Sequence, residues 1–132
     1  GSQMHVSYSM DSTKQKRNED AYVNMLNLLA ATGKLVRISE LDMGCLDSAG
    51  NTVMTANLTD NERKGMAEYY KFIVEKYLQL IPVAQQYGIC QWSVTDSPSS
   101  SSWRAGQPIG LWDESYNRKS TYGGFADGLM EK

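Results

Sequence analysis

A parallel α/β fold that forms part of a larger one is predicted by three observations. Strand-like and helix-like segments alternate three times, the chain has only 132 residues, and its chemically active side chains gather at or just beyond the C-terminal ends of the strand-like segments. Residues 2–7 read as a short strand. A helix is predicted over 14–32, where Tyr22, Met25, Leu26 and Leu29 share one stripe and Gly33 is placed to cap the end. The next strand is expected over 35–42. A second helix follows, opened by Thr59 and Glu62 at capping-box spacing and marked by Met66, Tyr70, Ile73, Tyr77, Leu80 and Ala84 at steps of four and three. That stripe is core packing. Pro82 is expected to kink or restart this helix and Gly88 to terminate it. A third strand over 89–95, an irregular loop over 96–117 and a short helix over 122–130 complete the order.

Composition narrows the function classes. With 41% hydrophobic and 21% charged residues, the chain has the makeup and length of one small globular domain. A formal net charge of -2 offers no basic face for nucleic acid or anionic lipid, and no apolar run approaches a membrane span. Cys45 and Cys90 have neither paired spacing nor histidine neighbours, so free thiols are expected and no metal site or cofactor is implied. The three tryptophans, Trp92, Trp103 and Trp112, all fall in the last third, in a stretch rich in Ser, Gly, Pro and Asp. Indoles in a polar loop serve more often as binding faces than as core, and an indole face suits the apolar side of a sugar ring; Trp112, beside Leu111, is assigned to packing.

The segment Val36-Arg37-Ile38-Ser39-Glu40-Leu41-Asp42-Met43 carries the sharpest chemical signal. Side chains alternate along a strand, so Glu40 and Asp42 point the same way. Two carboxylates on one face repel each other and lose hydration, which marks a catalytic edge unless the strand simply runs into a polar loop where both are solvated. His5, the pair Glu40 and Asp42, and Trp92 with Asp96 all lie at or beyond expected strand ends. Parallel strands need both faces covered, and three with three helices leave open edges and an exposed face. In a (β/α)8 TIM barrel the C-terminal strand ends converge on the active site, and a full barrel takes about 250 residues. Three of eight units fit this length.

The same residues resemble glycoside hydrolase family 10, whose members are mostly endo-1,4-β-xylanases. Ile38-Ser39-Glu40-Leu41-Asp42 is similar to that family's nucleophile strand, and Gly1-Ser2-Gln3-Met4-His5 to its sixth barrel strand. Gln91-Trp92-Ser93-Val94-Thr95-Asp96 with Ser102-Trp103-Arg104 resembles the eighth strand and its loop. Gly110-Leu111-Trp112-Asp113 with Tyr116 and Lys119 resembles the entry to the last helix. The likeness implies that residues 1–132 are the C-terminal portion of the catalytic domain, strands 6 to 8 of the barrel. It further implies that Glu40 is the nucleophile of a retaining mechanism, that His5 hydrogen-bonds it, and that Asp42 orients His5 from the other side. A lone histidine otherwise reads as a surface or core residue. By the same resemblance Gln3, Trp92 and Trp103 line the subsite of the reacting sugar; Arg104 is a weaker substrate-binding assignment, its plainer role being to pair with Asp96 and brace the loop.

Two departures matter. The family's acid/base glutamate belongs to its fourth strand, which has no counterpart here, and Asp42 cannot replace it because the family pattern sets it behind the nucleophile. The segment between Asp96 and Trp103 is serine-rich and longer than usual, while Ser120 and Thr121 stand where proline and alanine are common. The implied partners are xylan or xylo-oligosaccharides and the remaining five βα units, and the implied location is secreted, periplasmic or at the cell surface. Two other readings stay open: a non-catalytic carbohydrate-binding or structural piece of a barrel, and a related β-1,4-glucanase.

Overall fold

A computed structural model describes residues 1–130. Three parallel strands, β1 (Ser2–Ser9), β2 (Val36–Leu46) and β3 (Gln86–Gln91), form one sheet in the order β1-β2-β3. Helices α1 (Ser12–Ala31) and α2 (Asp60–Leu80) cross between them, and α3 (Ser120–Met130) follows the long loop after β3. This is an α/β arrangement with the topology of a partial TIM barrel. Among the described residues, no helix is long and apolar enough to cross a membrane.

Helix boundaries follow local chemistry. The Asp11 carboxylate accepts from the backbone N–H of Thr13 and Lys14 at 2.9 and 3.1 Å, so α1 begins two residues before the expected start. Gly33, at φ +69°, closes it as expected. Thr59 and Glu62 form the full capping box of α2. Pro82 ends α2 outright: the preceding Ile81 is extended, and only a 3-10 turn over Val83–Gln85 follows. Ala84 is therefore exposed rather than part of the buried stripe. Gly88 does not stop a helix but sits inside β3 at φ +132°. There the Tyr77 hydroxyl donates to Val36 O at 2.7 Å and accepts from the N–H groups of Tyr87 and Gly88 at 3.0 and 2.9 Å, joining the starts of β2 and β3 to α2.

The strands differ from expectation at their ends. β2 runs four residues past Asp42 because Met43 and Cys45 continue to bury alternate side chains, and β1 pairs with it as far as Ser9 against Leu46. β3, Gln86–Gln91, starts and stops earlier than 89–95; its last tie to β2 is the Trp92 N–H donating to Leu41 O at 2.8 Å. His5, Glu40 and Asp42 consequently lie within strands rather than at their ends.

The core lies between sheet and helices. Val36, Ile38, Leu41, Met43 and Cys45 of β2 pack with Tyr22 and Leu26 of α1 and Met66, Tyr70, Ile73 and Tyr77 of α2. Burial pushes the Cys45 thiol up to about 12, leaving it an inert hydrophobe, and raises the buried phenols of Tyr22 and Tyr70 as well. α3 approaches α2 closely, which requires glycine: a Cβ on Gly124 would fall 2.0 Å from Ala67 O.

Candidate active site

The buried members of β2 change parity partway along it, from Val36 and Ile38 to Leu41, Met43 and Cys45. A regular strand cannot put both sets on one face. The pairing register supplies the missing residue. Ser2 faces Ile38 while Gln3 faces Glu40, and Ile38 faces Ile89 while Leu41 faces Gln91, so β2 holds one extra residue between Ile38 and Leu41 against both neighbours. This β-bulge turns Glu40 and Asp42 away from the face that buries Ile38. Simple alternation would have left them beside it. On β1, Gln3, His5 and Ser7 share the corresponding face, while Met4, Val6 and Tyr8 pack into the core.

The side chains on this face meet. His5 Nε2 lies 3.1 Å from one Glu40 oxygen, and Gln3 Nε2 donates to the other at 3.0 Å. His5 Nδ1 lies 3.1 Å from Asp42 Oδ2, but without the alignment of a hydrogen bond. Asp42 is fully buried and is satisfied by two other donors: Trp103 Nε1 at 2.8 Å and an Arg104 guanidinium nitrogen at 3.1 Å. The imidazole edge meets both indoles, with ring centroids 4.7 Å from Trp103 and 5.9 Å from Trp92. Trp92 and Trp103 remain 49% and 40% exposed, leaving indole surface available to a ligand.

The expected brace between Arg104 and Asp96 is absent. Arg104 faces Asp42, whereas the Asp96 carboxylate pairs with Lys119, whose ammonium also donates to Pro108 O and Gly110 O at 3.0 and 2.9 Å. The reason is burial on two sides of one loop: each acid is removed from water and must take the cation that its own neighbourhood supplies. The serine-rich segment also has a structural task, since the hydroxyls of Ser97 and Ser101 both donate to Trp103 O, at 2.6 and 3.0 Å. Sequence reasoning missed this, and local side-chain-to-backbone bonding by serine was the available signal. Trp112 packs on Tyr122, with centroids 5.1 Å apart. Among the described residues, no group of three or more His, Cys, Asp or Glu side chains is placed to hold a metal ion.

The fold is a segment of a parallel α/β barrel, and on one face of its sheet it gathers two carboxylates, an imidazole, an amide and two open indoles. Residues 1–128 match the profile of Glycosyl hydrolase family 10, and the chain belongs to that family. It is 30% identical to Endo-beta-1,4-xylanase Xyn10C of Cellvibrio japonicus, over 83% of this chain and 21% of that protein. Among solved structures, Xylanase10C (mutant E385A) from Cellvibrio japonicus in complex with xylopentaose is similar at TM-score 0.72 and 26% identity, over 96% of this chain and 26% of that one. Native xylanase 10B from Thermotoga maritima shares the fold at TM-score 0.68 and 23% identity, over 96% of this chain and 34% of that one. The chain thus spans about a fifth of the curated relative it matches.

Proposed function

We propose that this chain, read as the C-terminal portion of the catalytic domain, supplies the nucleophile of a retaining endo-1,4-β-xylanase that cuts internal bonds of xylan. The observation that carries the proposal is the contact chain Gln3–Glu40–His5–Asp42, with steps of 3.0 to 3.1 Å, set beside the indoles of Trp92 and Trp103. Glu40 is 22% exposed at its side chain, open enough to meet an anomeric carbon yet held by donors on both oxygens. In this reading Glu40 attacks the anomeric carbon and forms the glycosyl-enzyme bond as the leaving oxygen departs. Water then releases the sugar.

His5 and Gln3 fix the direction of the carboxylate, while Trp92 and Trp103 wall the reacting sugar by apolar contact and exclude water. The proton for the leaving group comes from a second carboxyl group about 5 Å across the scissile bond, carried by the βα units that complete the barrel. Those units are the protein partner of this segment, and xylan or xylo-oligosaccharide is its ligand. Secretion or surface display suits a polymeric substrate that cannot enter a cell. Incubation of the assembled barrel with a mechanism-based xylobioside, followed by peptide mass analysis, is expected to place one glycosyl adduct on Glu40. Sugar binding with no adduct would show a carbohydrate-binding piece without chemistry, and an adduct formed only with the matching cellobioside would show a glucanase.

A further inference from the structure

Arg104 occupies an unusual position. Its backbone has φ +47°, a left-handed conformation that is unfavourable for a non-glycine residue, and its side chain reaches across two strands. One guanidinium nitrogen donates to Val6 O at 2.9 Å and to Asp42 Oδ1 at 3.1 Å; the other donates to Ser7 Oγ at 3.2 Å. The strand beneath is shaped to admit it. A Cβ on Gly44 would lie 3.1 Å from that first nitrogen and 2.9 Å from Gln107 Oε1, so any side chain at position 44 would crowd the guanidinium. Three of its N–H donors go to Val6, Ser7 and Asp42 and the side chain is only 19% exposed, so the guanidinium is turned into the protein rather than toward a sugar.

We propose that Arg104 is a positioning residue, which acts through Asp42 on His5 and so on how firmly the imidazole holds the Glu40 carboxylate. Asp42 stands 3.1 Å from His5 Nδ1 but is held out of line by Arg104 and Trp103. Arg104 also balances its charge. With that cation removed, the buried carboxylate has the ring as its remaining cationic partner; it turns toward Nδ1–H and draws a second proton onto the imidazole. An imidazolium then grips Glu40 as an ion pair and blunts its attack. The charged groups that face the ring are Glu40 and Asp42 from β2, and Arg104, from the loop after β3, stands on Asp42. Gln3, Trp92 and Trp103 complete its surroundings, and Tyr22 of α1 and Tyr69 of α2 border the cleft that His5 shares along the β1 edge.

The inference deepens the nucleophile reading and rests on it, but its first test does not need turnover. His5 is the single histidine of this chain, so with this segment alone isotope-labelled in the assembled barrel its ring resonances titrate without ambiguity in an NMR experiment. Arg104→Ala is expected to raise the His5 midpoint by about one pH unit, a tenfold gain in the ratio of protonated to neutral ring at a given pH. Arg104→Lys keeps the charge but cannot span Val6, Ser7 and Asp42 together, and falls between. In an Asp42→Asn background the effect of Arg104→Ala is expected to shrink to less than half. An unmoved midpoint, or an equal shift in both backgrounds, overturns the proposal. In the assembled barrel, Arg104→Ala is expected to lower kcat at least about tenfold with little change in KM and to move the acid limb of the profile to higher pH. A raised KM with unchanged kcat would instead make Arg104 a substrate contact. If the unaltered barrel fails to hydrolyse xylan while the His5 titrations behave as expected, the nucleophile reading fails and the Arg104–Asp42–His5 coupling stands.

Discussion

Replacing Lys119 by methionine tests what holds the loop between β3 and α3. The side chains of Lys119 and Asp96 are 11% and 1% exposed, and the ammonium spends its three N–H groups on Asp96, Pro108 O and Gly110 O. Methionine keeps the length and apolar contact but removes all three bonds. Asp96 would retain the Gly110 N–H at 3.1 Å on one oxygen, while its other oxygen is already buried without a partner. Breaking a buried pair in this way costs about 3–5 kcal/mol. The pH dependence follows from burial, which raises the Asp96 carboxyl above its ordinary range and lowers the Lys119 ammonium below its own.

A carboxyl raised in the folded state contributes stability while protonated and loses it as pH climbs through the raised value. A lowered amine contributes above its unfolded range and loses that contribution as pH falls through the folded value. In Lys119→Met only the carboxyl remains. The deficit is therefore largest near neutrality and smaller in acid, where the raised Asp96 carboxyl takes up its proton. Chemical denaturation at one fixed protein concentration measures it, since association shifts apparent stability by mass action. A deficit below about 1 kcal/mol, or one equal at both pH values, would show that the ion pair does not hold the loop.

Three other perturbations have defined outcomes. Gly124→Ala forces a Cβ to 2.0 Å from Ala67 O, so α3 must move off α2; thermal denaturation should show a loss of about 1–3 kcal/mol, and an unchanged midpoint would contradict the close helix contact. Glu40→Gln in the assembled barrel puts a carboxamide within reach of Gln3 and His5 in place of the proposed nucleophile. Xylan hydrolysis should fall by a factor on the order of 10⁶, and residual activity within about tenfold of the original would exclude Glu40 from covalent chemistry. Light scattering of the 132-residue chain should show association with itself or with complementary βα units, because β1 and β3 are both unpaired parallel edges; a monodisperse monomer that unfolds cooperatively would refute this.

Element order was legible because its signals are local. The capping box at Thr59 and Glu62, the stripe from Met66 to Tyr77 and Gly33 beyond α1 each act within a few residues, and tertiary context had only to agree with them. Pro82 and Gly88 were visible too, but what they did depended on where the chain had to go. Pro82 released the chain toward the sheet, and Gly88 gave the positive φ that lets Tyr77 bond two successive N–H groups at the start of β3.

Which residue types the candidate site contains, and in what order, could be read from the chain alone, because His5, Glu40, Asp42, Trp92, Trp103 and Arg104 lie in recognisable strand and loop contexts. Which of them touch depended on the folded chain. Strand alternation leaves Glu40 on the same face as Ile38, and it takes the bulge, seen only in the register against β1 and β3, to turn it to the other. Charge gives each acid a choice of cations but no partner: Asp42 took Arg104, 62 residues away, and Asp96 took Lys119, because loop closure fixes which cation shares which dry pocket.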